Sequence, residues 1–116
     1  MDSKTGVMPN TVTFDIAEMR AAAGQAAALL RALGNEDRLM VLCQLSQGEL
    51  SVSELEAQTG ITQPTLSQQL AVLRAERLVA TRREGKRIHY SVADPKALTV
   101  LGTLYQLFCA GTRDGN

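Results

Sequence analysis

Residues 61–74, ITQPTLSQQLAVLR, are followed closely by residues 78–90, LVATRREGKRIHY, and the fold is decided by reading these two stretches together. In the first, Leu66, Leu70 and Leu73 recur at i, i+4 and i+7, the spacing of one buried helix face. The opposite arc carries Pro64, Thr65, Ser67, Gln68 and Ala71, small and amide side chains without apolar bulk. Glutamine can pair with an adenine edge through both its amide groups, and Ala71 permits close approach, so the arc suits a DNA major groove. A plain solvated face is the competing reading. In the second stretch, residues 78–82 and 87–92 are strand-like, and Glu84-Gly85 marks a turn between them. Ile88, Tyr90 and Val92 alternate with Arg87, His89 and Ser91, so one side of the hairpin is expected to be buried and the other wet and basic. Directly after a groove-sized helix, a cationic hairpin is better explained as a clamp on DNA phosphates than as a solvated tip.

Charge distribution points the same way. The 116 residues carry no net formal charge, which alone argues against nucleic acid. Yet Arg74, Arg77, Arg82, Arg83, Lys86 and Arg87 place six of the twelve basic residues within fourteen positions, opposed there only by Glu76 and Glu84. Acidic residues gather elsewhere, at Glu36, Asp37, Glu49, Glu54 and Glu56. Local charge is what a phosphate backbone feels.

Outward from this segment, the chain reads as one small domain with tails. Residues 1–14 are polar, contain Gly6 and Pro9, and are expected to form a flexible tail, as are residues 111–116. A first helix carries Ile16, Met19, Ala23, Ala26, Leu30 and Leu33 and stops at Gly34. Asn35 caps a second helix bearing Leu39, Leu42 and Cys43. Ser51 or Ser53 caps a short third, and Thr62 is expected to cap the fourth. After the hairpin, Asp94-Pro95 opens a fifth helix whose Leu98, Leu101, Leu104, Tyr105, Leu107 and Phe108 cover nearly its whole circumference. So apolar a helix cannot bury every face in one small domain, and a second copy of the chain is its expected cover, with the Ala-rich first helix joining that interface. No targeting or membrane segment is visible, since Asp15 and Glu18 precede the Ala-rich run and Gly24 and Gln25 interrupt it. A cytoplasmic protein with two reduced cysteines is the expectation.

Residues 32–45 (ALGNEDRLMVLCQL), 49–56 (ELSVSELE), 62–74 (TQPTLSQQLAVLR) and 83–92 (REGKRIHYSV), in this order of four helices, a hairpin and a last helix, resemble the ArsR family of winged helix-turn-helix repressors over residues 16–110. Residues 63–74, taken with Cys43 and Cys109, are similar to its sulfide- and persulfide-responsive branch. The resemblance implies a mostly helical α+β winged helix-turn-helix spanning residues 15–110, paired as a homodimer through its first and last helices. It implies a repressor of double-stranded operator DNA, with no enzymatic activity and no cofactor. Gln63, Thr65, Ser67 and Gln68 become the expected base readers, and Arg74, Arg82, Arg83, Lys86, Arg87 and His89 the remaining DNA contacts.

Family members that sense metals carry cysteines where this chain has Ser51 and Ser53, and serine hydroxyls are poor ligands for thiophilic metals. A second familiar site uses His and carboxylate ligands on the last helix, yet residues 96–110 contain no His, Asp or Glu. No metal site is therefore expected, a metal response through Cys43 and Cys109 being the alternative. The resemblance implies instead that these two thiols, one from each of two helices, are joined when a persulfide or polysulfide reacts with them, and that the bridged protein releases DNA. Taken without the resemblance, both cysteines read equally as small apolar core residues. Both lie toward the C-terminal ends of their helices, where the dipole disfavours a thiolate, with Arg38 and Arg113 the cations nearest in sequence.

Overall fold

The computed structural model describes residues 13–110. Five helices and a small antiparallel sheet follow one another as α1 (Ile16–Leu33), α2 (Glu36–Leu45), β1 (Leu50–Ser51), α3 (Val52–Thr59), α4 (Thr65–Ala75), β2 (Val79–Glu84), β3 (Arg87–Val92) and α5 (Pro95–Tyr105). Residues Gln106–Ala110 continue α5 as a wider π-helix. Of the tails expected at residues 1–14 and 111–116, residues 1–12 and 111–116 lie outside the described residues.

Local chemistry sets most boundaries. Asp15 caps α1 through the amides of Ala17 and Glu18, Asn35 caps α2 through that of Arg38, and Asp94 caps α5 through that of Lys96. Ser51 and Glu54 form a reciprocal capping box on α3, which ends at Gly60 in the left-handed region, φ 76°. The expected cap of α4 is corrected. Thr62 lies outside the helix, because a residue preceding proline is pushed from helical backbone and Pro64 thus delays the start. Gln63 takes over part of the cap, its Oε1 accepting from the Ser67 amide at 3.1 Å. At the other end Arg77 adopts φ 62°, and the amides of Arg77 and Leu78 donate back to the carbonyls of Arg74 and Leu73, a Schellman closure without the usual glycine.

Leu42, Leu55, Leu66 and Leu73 are fully buried, joined by Val41, Leu45, Leu70, Leu78, Val79, Tyr90, Ala97 and Leu101. At about 1.5–3 kcal/mol for each large apolar side chain, this cluster from α2, α3, α4, the sheet and α5 dominates the stability. The sheet order is β1-β3-β2. The two-residue β1 went unforeseen, and it makes β3 the central strand. The hairpin turn falls at Gly85-Lys86, one residue later than Glu84-Gly85, with Gly85 at φ 62° and Glu84 paired with Arg87.

The other side of the molecule is open. Within α1 only Ala32 and Leu33 are buried, while Phe14, Ile16, Met19 and Leu30 are exposed. The radius of gyration is 17.2 Å, against about 13 Å for a compact chain of this length.

Candidate nucleic-acid interface and thiol pair

The inward arc of α4 is spent on the core, so its outward arc is available. Gln68, Ala71 and Arg74 are exposed there, and Thr65 is half-buried. The three glutamines of this segment stand in different states. Gln63 and Ser67 are exposed, but the Gln63 oxygen accepts from both the amide and the hydroxyl of Ser67. Gln69 turns inward, and its oxygen accepts from Arg38 Nη1 at 2.8 Å. Gln68 makes no side-chain hydrogen bond among the described residues, so both of its amide groups face solvent.

On the wing, Lys86 occupies the turn and Arg87 opens β3, both exposed and without a side-chain ion pair among the described residues. Arg83 is also exposed and folds its Nε onto the Gly85 carbonyl, 3.2 Å away. Arg82 is tied down: its Nε and Nη2 donate to the two carboxylate oxygens of Glu49, at 3.0 and 2.8 Å. That hydrogen-bonded pair holds the Glu49 carboxyl below its ordinary range and pushes Arg82 up. Sequence reasoning missed Glu49, since the two-residue β1 that brings it beside the wing is too short to show a period.

His89 is corrected. Its side chain is only 11% exposed, not on a wet face, because β1 and β2 flank β3 and Arg82 reaches across it. His89 Nε2 lies 3.2 Å from Glu84 Oε1, without the alignment of a hydrogen bond.

Ser51 and Ser53 also find duties of their own. Ser51 is 3% exposed, holds the Glu54 amide through its hydroxyl, and stands 3.3 Å from the Ser53 hydroxyl. Among the described residues no three His, Cys, Asp or Glu side chains gather in a way that could hold a metal ion, and no helix is long and apolar enough to cross a membrane.

Both cysteines are free thiols and half-buried. Cys43 packs against the core from α2, and Cys109 stands in the π-helical end of the chain. Burial pushes the Cys43 thiol above its ordinary value, and the charge of a Cys109 thiolate adds to the rise. The winding widens after Tyr105, and Cys109 is carried on that π-helical continuation of α5. The Arg38 guanidinium is directed elsewhere, donating to the Ala32 and Arg31 carbonyls and to Gln69. Arg113 lies outside the described residues.

Residues 35–81, from the cap of α2 into β2, match the bacterial regulatory proteins of the arsR family. The Biofilm growth-associated repressor of Agrobacterium fabrum is 52% identical over 92 residues, 79% of each chain. The chain belongs to the arsR family of bacterial regulatory proteins. Its structure is similar to the crystal structure of the transcriptional repressor BigR from Xylella fastidiosa, at TM-score 0.80 and 47% identity over 84% of this chain and 99% of that one. Reduced HlyU from Vibrio cholerae is similar at TM-score 0.76 and 38% identity, over 81% and 99%. Like these arsR-family relatives, the protein is a DNA-binding transcriptional regulator, not an enzyme.

Proposed function

We propose that this regulator is a homodimeric repressor that grips operator DNA with α4 and the wing and lets go when reactive sulfur joins Cys43 to Cys109. The output rests on the outward arc of α4, where Gln68 presents an exposed amide, and on the exposed cations Lys86 and Arg87 of the wing. Gln63, Thr65 and Ser67 would contribute at the start of the helix, Gln63 through its amide nitrogen, and Arg74, Arg82 and Arg83 through phosphates. The dimer rests on the uncovered apolar surface of α1 and α5, with Ile16 64% and Leu107 69% exposed.

For the input, what supports the reading is a pair of free, half-buried thiols, one on α2 and one at the end of α5. A persulfide RSSH passes its outer sulfur to one cysteine, giving a cysteine persulfide and RSH. The thiolate of the second cysteine then attacks the inner sulfur, forming a disulfide and expelling hydrogen sulfide. If both cysteines are first persulfidated, their condensation with loss of hydrogen sulfide leaves one extra sulfur in the bridge. A bond between α2 and the end of α5 would reset the spacing of the two reading helices, which must match half-sites about 34 to 36 Å apart.

The test is a gel-shift titration on a duplex that the wild-type protein selects from a randomised pool, using protein reduced, treated with a persulfide, or treated with peroxide. Persulfide should release the duplex from wild-type protein and not from Cys43→Ser or Cys109→Ser. Release of the reduced protein by zinc or copper ions would point to metal sensing instead.

A further inference from the structure

Arg38 sits in the first turn of α2 and spends its guanidinium on two other helices. Its Nε donates to the Ala32 carbonyl at 2.7 Å and its Nη2 to the Arg31 carbonyl at 3.1 Å. These belong to the last turn of α1, where carbonyls run out of i+4 partners, and the Arg31 carbonyl also accepts the Gly34 amide at 3.3 Å. The remaining nitrogen, Nη1, donates at 2.8 Å to Gln69 Oε1 in the middle of α4. Gln69 is half-buried and follows Gln68, which is exposed, so about 100° of helix rotation separates an inward amide from an outward one.

Leu66, Leu70 and Leu73 fix how deeply α4 sits, but an apolar stripe is non-directional and tolerates small rotations and slides. A hydrogen bond to a charged guanidinium is directional, and here it has one geometry because the other donors of Arg38 are anchored to backbone. We infer that Arg38 and Gln69 are positioning residues that set the rotation of the reading helix relative to the end of α1, and so the aim of Gln68 at its base. This inference rests on the reading of α4 as the DNA-reading helix. It adds that α1, whose far end is the exposed apolar surface expected to meet a second copy, is pinned to the reading helix through one side chain. A change in how two copies pack would reach α4 by this route.

A purely structural pin would affect stability and all DNA binding alike. A positioning pin should affect discrimination. The experiment compares the affinity of Gln69→Leu, Gln69→Glu and wild-type protein for two duplexes, one selected by the wild type from a randomised pool and one of mixed sequence, with thermal melting alongside. Gln69→Leu should bind the selected duplex on the order of tenfold more weakly and the mixed duplex unchanged, the loss expected when a bond to a charged group no longer fixes the aim. Gln69→Glu, whose carboxylate can accept from the same nitrogen, should restore discrimination. In an Arg38→Ala background, Gln69→Leu should have no further effect. The inference is overturned if Gln69→Leu discriminates as wild type does, if both affinities fall together with the melting temperature, or if Gln69→Glu fails to rescue. A wild-type protein that enriches no duplex overturns the DNA reading, and this inference with it.

Discussion

The side built from α2, α3, α4 and the sheet is finished within one chain, whereas the side built from α1 and the end of α5 is not. On the first, Leu42, Leu55, Leu66 and Leu73 are fully buried, and Gln68, Lys86 and Arg87 are exposed over a filled core. On the second, Phe14, Ile16, Leu30, Leu107 and Phe108 are each more than 60% exposed. The difference separates two tasks. DNA contact needs a rigid platform that a single copy can supply, and spacing two such platforms needs an interface that it cannot.

The largest effect should come from breaking the finished side. Leu66→Ala should cost about 2–5 kcal/mol in chemical denaturation, since its cavity opens beneath α4 in a well-packed core. A loss under about 1 kcal/mol would mean that the platform is not self-contained. Next, charges at Ile16 and Leu107 should break the unfinished side alone. Ile16→Glu with Leu107→Glu should sediment as a monomer and bind a two-half-site duplex at least about a hundredfold more weakly, by loss of avidity, with the melting of the reading head little changed. Smaller again is the wing tip: Lys86→Ala with Arg87→Ala should reduce the dependence of log affinity on log salt by about 0.9 for each phosphate that is no longer neutralised. The smallest effect is expected at Glu49, which holds Arg82 and on the proposed reading would compete with phosphate for it. Glu49→Gln should strengthen binding to mixed-sequence DNA by less than about fivefold, as suits an exposed pair. Because the Glu49 carboxyl is held below its ordinary range, acid should release Arg82 only below the pH at which a free glutamate protonates.

The finished side was also the legible side. Leu66, Leu70 and Leu73, the caps at Asn35 and Asp94, a serine cap narrowed to Ser51 or Ser53, and the basic hairpin could all be read from residue spacing, because each depends on neighbours within one or two turns. Much of what escaped depends on contacts between elements remote in sequence. Two residues of β1 beside β3 decide that His89 is covered and that Arg82 meets Glu49. Arg38 looked like a cation near Cys43 until the carbonyls of α1 and Gln69 claimed it. Pro64 displaced the expected Thr62 cap, a local effect that favours Gln63 as the substitute. The widening to a π-helix over Gln106–Ala110 has no periodic signature in the sequence.

That the reading head supplies the output and the Cys43–Cys109 pair supplies the input is tested most directly by measuring operator release and intact mass on one sample titrated with a persulfide. Release should follow, molecule for molecule, the appearance of a species in which Cys43 and Cys109 are joined by two or more sulfurs, and Cys43→Ser and Cys109→Ser should stay bound. Persulfide-driven release that persists in either single variant would contradict it.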